Sequence, residues 1–138
     1  MIKNANIGKE VVVTAENKIG LLNKISKLVA DHGINIDGVA GYAADNQAKI
    51  MLVTSDATRA VEALSAAGFK LVKETEVIVL ELENKPGALK IVTDKLAAQN
   101  VDIKHLYGTA CCGACADKLI LSTSDNQKAL VAFKKKLE

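Results

Sequence analysis

The chain repeats itself. Glu16-Asn17-Lys18-Ile19-Gly20-Leu21-Leu22 returns as Glu83-Asn84-Lys85-Pro86-Gly87-Ala88-Leu89, 67 positions later. At the same spacing, Gly33-Ile34-Asn35-Ile36 becomes Asn100-Val101-Asp102-Ile103. Lys49-Ile50-Met51-Leu52-Val53-Thr54-Ser55-Asp56 returns as Lys118-Leu119-Ile120-Leu121-Ser122-Thr123-Ser124-Asp125, 69 positions on. Such self-similarity means one supersecondary unit used twice. The second copy holds two extra residues between positions 103 and 118, and the three cysteines lie in that interval.

Each copy reads as the same series of elements. Glu10-Val11-Val12-Val13-Thr14 is a short β-branched run and predicts a strand. Asn17 stands where a helix N-cap belongs. Leu22, Ile25, Leu28 and Val29 follow at helical spacing, and Gly33 is placed to stop that helix. Ile34, Ile36 and Val39 resume strand character, and Lys49 to Thr54 form another strand. Ser55 or Asp56 caps a second helix carrying Ala60, Val61 and Leu64. Gly68 ends it, and Phe69 to Val72 alternates as a strand. The order is β-α-β-β-α-β, an α+β, ferredoxin-like plan with antiparallel sheets.

The second copy begins with Val77 to Leu82 and a helix from about Pro86 to Ala98, with proline at the first helical position. After two strands and a helix from about Asp125 to Lys136, its fourth strand is missing. The repeat spacing sets Ile2 to Asn6 opposite Phe69 to Lys73. The N-terminal segment is therefore expected to complete the sheet of copy two, so that the copies interlock. The expected division is 1–74 for repeat one, with 2–6 lent to the other sheet, and 75–138 for repeat two.

Composition excludes several functions. Eighteen basic and sixteen acidic side chains leave a net charge of +2, and aromatics are 3%. A nucleic-acid surface usually shows a basic stripe or stacking aromatics, so none is expected. The run Lys134-Lys135-Lys136 reads as a helix end that complements the helix dipole. No stretch has the apolar length of a membrane span, and the first residues lack a signal-peptide core. A cytoplasmic protein without membrane contact is expected. No nucleophile-base set, paired acids or phosphate loop stands out, so no enzyme activity is expected.

The repeated turn carries the functional reading. A helix N-terminus leaves backbone N–H groups free and holds a partial positive charge, which suits a carboxylate. Glycine lets a ligand approach the backbone, and asparagine offers a donor and an acceptor. A zwitterion could use both kinds of group.

The run Glu-Asn-Lys-Pro-Gly-Ala-Leu, followed by a helix and a Gly-Val-Asn-Ile-like strand start, resembles the ACT domain over residues 9–73 and 76–136. ACT domains are small βαββαβ regulatory modules, often paired, that bind amino acids. The resemblance implies ligand contacts at Asn17, Ile19, Gly20, Leu21 and Leu22, and at Asn84, Pro86, Gly87, Ala88 and Leu89. Some serine-binding members add an asparagine at the second strand, which falls on Asn35 and on Asp102. They also carry a histidine two residues before the turn asparagine, where this chain has Ala15 and Leu82. These departures count against serine, and the resemblance implies a free amino acid as ligand, no further cofactor, a homodimer through sheet edges or helices, and a regulated protein partner.

Cys111-Cys112-Gly113-Ala114-Cys115 falls in the expected β-hairpin connection of copy two. Three cysteines with His105 could hold zinc. Cys112 and Cys115 form a C-x-x-C spacing that could cycle a disulfide. Small apolar packing is the third reading and the favoured one. The alternatives to ligand binding are thus a metal- or thiol-responsive module and a structural interaction module.

Overall fold

In a computed structural model, residues 1–111 and 115–135 are described. Among the described residues, four helices and six strands follow in the order β1 (Ile2–Glu16), α1 (Leu21–Asp31), β2 (Ile36–Ala44), β3 (Gln47–Thr54), α2 (Ala57–Ala66), β4 (Leu71–Leu82), α3 (Ala88–Ala98), β5 (Ile103–Thr109), β6 (Asp117–Thr123) and α4 (Asn126–Lys134). Two compact units result. The first is Lys9–Thr75, and the second is Met1–Gly8 together with Glu76–Glu138.

In the first unit the strand order is β2-β3-β1-β4. β3 pairs antiparallel with β1 and with β2, setting Val13 opposite Ile50 and Val11 opposite Leu52. Because side chains alternate along a strand, these four point to one face. There they meet Ile25 and Val29 of α1 and Ala57, Ala60 and Leu64 of α2 in one buried cluster. The apolar spacing of α1 puts Ile25 and Val29 on one face, one turn apart. The small residues of α2 let it lie close to the sheet.

The second unit repeats this construction. Its order is β1-β4-β6-β5. Ile78 faces Leu121 and Leu80 faces Leu119 across an antiparallel ladder. They bury Val92 and Leu96 of α3 and Ala129 and Phe133 of α4. Ala5 sits in the same cluster at 4% exposure, with Met1, Ile2 and Ile7 packed against it. The Glu83 N–H donates to the Met1 carbonyl at 2.9 Å. The first eight residues thus bring apolar side chains into this core.

Three boundaries differ from those expected. α1 begins at Leu21, with Gly20 and not Asn17 as its N-cap. α3 begins at Ala88, with Gly87 as N-cap, so Pro86 precedes the helix. The short strands expected at 2–6 and 10–14 merge into β1, and those at 69–72 and 77–82 into β4, which starts only at Leu71. No glycine or proline interrupts residues 71–82, so nothing ends the strand between the two apolar runs.

Other punctuation follows the chemistry of the residues. Asp56 and Asp125 cap α2 and α4, accepting from the Arg59 and Lys128 N–H groups. Each such cap stabilises by about 1 kcal/mol. Gly33 takes φ 70 after α1, and Asn100 takes φ 56 at the matching place after α3. Asparagine is the usual substitute for glycine in that left-handed position. Among the described residues, no helix is long and apolar enough to cross a membrane.

Candidate functional site

The two turns adopt one backbone conformation. Gly20 has φ 88 and ψ 3, and Gly87 has φ 89 and ψ −4. Neither helix has a side chain capping its first turn. At the first turn the Leu21 N–H is taken by the Lys18 carbonyl at 3.2 Å, and the helix proper starts with Lys24 N–H to Gly20 O at 2.9 Å. The N–H groups of Leu22 and Asn23 therefore have no acceptor within the helix. At the second turn Ala88 N–H donates to Lys85 O at 3.2 Å and Ile91 N–H to Gly87 O at 3.1 Å, which leaves Leu89 and Lys90 in the same position.

Around Gly20 lies a concave pocket of about 280 Å³, lined by Ala15, Glu16, Lys18, Ile19, Leu21, Lys24 and Phe69. That is near the lower end of the roughly 300–1,000 Å³ of small-molecule sites. A Cβ added at Gly20 would meet nothing within 4 Å, so the backbone is open on that side. Ile19 is fully exposed. Lys24 Nζ stands 5.2 Å from the centre of the Phe69 ring, and Lys18 pairs loosely with Glu16 at 3.7 Å. Free backbone donors, two lysines and an apolar wall suit a small anion or zwitterion with an apolar part.

Of the residues expected here, Ile19, Gly20 and Leu21 line this pocket, and Asn17, Leu22 and Asn35 lie outside its lining. Asn17 uses its backbone, its N–H donating to Asn46 O at 2.7 Å. Leu22 is 47% exposed on α1. Asn35 and Ser55 are tied by two bonds, Asn35 N–H to Ser55 Oγ and Ser55 N–H to Asn35 O, both 2.9 Å. The Asn35 amide also reaches Asp37 at 2.6 Å. Lys24 and Phe69 are pocket residues that the sequence did not single out. The one available signal was that Lys24 stands four residues after Gly20, one helical turn away.

The second turn is tied to its surroundings by more polar contacts. Asn84 Nδ2 donates to the Cys111 carbonyl at 3.2 Å. The Met1 amino group lies 3.3 Å from Glu83 Oε1, and Met1 Cε would sit 3.7 Å from a Cβ at Gly87. Lys85 Nζ holds the other Glu83 oxygen at 2.9 Å. The hydrogen bond and charge of Lys85, followed by those of the amino group, hold the Glu83 carboxyl below the ordinary glutamate range. Ala88 is buried, while Pro86 and Leu89 are exposed. Asp102 repeats the bonding of Asn35, with Ser124 in place of Ser55, at 2.9 Å in both directions.

The cysteine segment is described at its two ends. Cys111 and Cys115 are joined as a disulfide, with Cα atoms 5.7 Å apart. Cys112, the other half of the C-x-x-C pairing, lies outside the described residues. His105 stands on β5 with its ring stacked on Tyr107, centroids 6.3 Å apart. Among the described residues, no group of three or more His, Cys, Asp or Glu side chains is placed to hold a metal ion.

No curated protein matches the chain. Protein BT0572 from Bacteroides thetaiotaomicron is similar in structure, with a TM-score of 0.85 and 25% identity over 94% of this chain and 88% of that one. The regulatory subunit of aspartate kinase from Thermus thermophilus, in its ligand-free form, shares the fold at a TM-score of 0.66 and 13% identity, over 99% of each chain. Clostridium acetobutylicum aspartate kinase shares it at a TM-score of 0.58 and 11% identity, over 96% of this chain and 33% of that one. Residues 9–67, which contain the Gly20 turn and its pocket up to Lys24, match the family model of the ACT domain, and an ACT domain is therefore found in this chain.

Proposed function

We propose that this chain is a non-catalytic regulatory protein of two ACT modules, one per unit, that binds an amino acid at its strand-to-helix turns. The observation that carries the reading is the Gly20 turn. It combines a left-handed glycine, a helix N-terminus without a side-chain cap and a concave pocket, of whose lining all but Phe69 falls within the residues that match the ACT domain. The ligand's carboxylate would meet the free N–H groups of Leu22 and Asn23, and its side chain would lie toward Ile19 and Phe69. Asn17 and Leu22 flank this turn, whereas Asn35 is held by Ser55 at the opposite end of β3 from the Glu16–Gln47 pair. Asn84, Pro86, Gly87, Ala88 and Leu89 form the corresponding second site, with Asp102 held by Ser124 at the far end of β6 from the Leu82–Asp117 pair. Likeness of fold to regulatory subunits supports a role in controlling another protein. Exposed Val39 and Tyr42 on β2 and Leu106 on β5 support self-association into a homodimer.

Regulation requires a ligand that binds two states differently. A thermal-shift screen against the common amino acids tests the binding step. Binding to the native state raises the unfolding midpoint, by about 2.7 kcal/mol of stability at a hundredfold excess over Kd. One or a few amino acids should shift the wild-type chain. Neither Asn17→Ala nor Asn84→Ala should abolish a shift that arises at the Gly20 turn, because Asn17 is tied there through its backbone and Asn84 belongs to the second turn. A flat response to every amino acid would sink the reading.

A further inference from the structure

The disulfide and the second turn share a residue. Cys111 is bonded through sulfur to Cys115, its N–H donates to Asp117 Oδ1 at 2.7 Å, and its carbonyl accepts from Asn84 Nδ2 at 3.2 Å. Asn84 opens the Asn84-Lys85-Pro86-Gly87 turn. One residue therefore ties together the sulfur bridge, the start of β6 and the turn that leads into α3. The Cα separation of 5.7 Å fits a disulfide, which takes roughly 4.4–6.8 Å. Cys115 is exposed and Cys111 half-buried, so a small thiol can reach the bridge.

The first unit has the same tie without sulfur. There the turn meets the hairpin through Asn17 N–H and Asn46 O at 2.7 Å. Asp45 and Asn46 form a tight turn, with φ 52 and 66, between the paired residues Ala44 and Gln47. That contact has no chemistry to break. In the second unit the corresponding connection is longer and carries the cysteines.

We propose that Cys111 and Cys115 are a reversible thiol–disulfide site whose state sets the conformation of the Asn84–Gly87 turn. The co-reactant is a low-molecular-weight disulfide, such as glutathione disulfide. The Cys115 thiolate, the more exposed of the two, attacks one sulfur of the small disulfide. The small S–S bond breaks, one small thiol leaves, and a mixed disulfide forms on Cys115. The Cys111 thiolate then attacks the Cys115 sulfur, forms the bridge and expels the second small thiol. The two protein protons end on the two released thiols, and the small disulfide gains the two electrons that the protein loses. Excess small thiol runs the steps backward. In the bridged form the Cys111 carbonyl is held against Asn84. In the dithiol form that carbonyl loses its covalent brace and the Asn84 amide is released. As a control of ligand binding, the proposal rests on the reading given under Proposed function; as a modification site it stands alone.

The test uses the full chain and its Cys112→Ser variant, which removes the third cysteine as a rival partner, with reduced and oxidised glutathione as the probes. Intact mass shows the bridge as a loss of two hydrogens. Nuclear magnetic resonance follows the Asn84 side-chain amide and the backbone amides of Gly87 and Gly20. The expected result is a two-hydrogen loss in Cys112→Ser, with Asn84 and Gly87 signals that move on oxidation, return on reduction and fail to move in the double variant Cys111→Ser/Cys112→Ser, while Gly20 stays in place. Failure of Cys112→Ser to lose two hydrogens overturns the proposal. So does a closed bridge that leaves the Asn84 and Gly87 signals unmoved. No amino acid is present, so either failure is separate from a failure of the ligand reading.

Discussion

At Gly20 and Gly87 the backbone turns through the same left-handed conformation, at φ 88 and 89, and enters a helix in the same way. Their surroundings differ. The first turn opens onto a pocket walled by Phe69, with Lys24 beside the ring. The second has Met1 beside Gly87, Glu83 held between Lys85 and the Met1 amino group, and Asn84 bound to Cys111. The position of Lys24 is taken by Ile91 in the second copy. The same turn conformation thus presents two different chemistries, and the open first turn, with Lys24 beside it, is the stronger candidate for an anionic or zwitterionic ligand.

The largest expected effect tests whether the units are as separate in stability as they are in core. Ala5 is buried in the second cluster, at 4% exposure, beside Ile78, Leu80 and Phe133. An aspartate there is an unpaired buried charge and costs on the order of 3–5 kcal/mol. Ala5→Asp should therefore collapse hydrogen-exchange protection at Ile78, Leu80, Leu119 and Leu121, while Val11, Val13, Ile50 and Leu52 keep theirs. Uniform loss across both sets would show one cooperative body and break the comparison of two units.

The glycines come next. An alanine forced into left-handed conformation costs roughly 1–2 kcal/mol. Neither site adds a steric penalty, since a Cβ meets nothing within 4 Å at Gly20 and only the end of Met1 at Gly87, at 3.7 Å. Gly20→Ala and Gly87→Ala should thus lower stability by similar amounts in urea unfolding. They should separate in binding, because the new methyl at Gly20 projects into the open side of the turn. Loss of the amino-acid-induced shift in Gly20→Ala alone would assign binding to the first turn. Equal loss in both would make the sites equivalent.

Much of this architecture was legible in the residues, because duplication makes each copy a check on the other. The periodicities around Ile25 and Val29 and around Ile50 and Leu52 mark the faces that form the first core. The helix starts were not legible to within a turn. Asn17 and Asn84 have the chemistry of an N-cap, yet glycine three residues later takes the position, through a positive φ that no pattern of polarity announces. The pocket was half legible: Ile19, Gly20 and Leu21 are contiguous in sequence, but Phe69 reaches it only through the return of the chain after α2. The cysteine pairing was not legible, since spacing alone favoured Cys112 with Cys115, and the structure joins Cys111 to Cys115.

The smallest effect is the sharpest in sign. Thr54 and Thr123 are repeat equivalents, each at the end of a strand before a capped helix. Thr123 is satisfied: its hydroxyl donates to Asn126 Oδ1 at 2.7 Å and accepts from the Asp125 N–H at 3.2 Å. Asn126 also accepts from the Thr123 N–H at 3.0 Å and donates to the Glu76 carbonyl at 3.1 Å, so it links β6 to β4. The first copy has Ala57 in the place of Asn126, and the buried Thr54 hydroxyl has no hydrogen-bond partner among the described residues. Valine matches threonine in shape and removes only the hydroxyl. Thr123→Val breaks a satisfied network and should cost about 1 kcal/mol, whereas Thr54→Val removes a desolvated group without a partner and should be neutral or stabilise by up to about 1 kcal/mol. Urea midpoints for the two variants should move in opposite directions or, at the least, Thr123→Val alone should fall. Equal falls would mean that Thr54 has found a partner in solution, and the contrast between Ala57 and Asn126 would lose its energetic meaning.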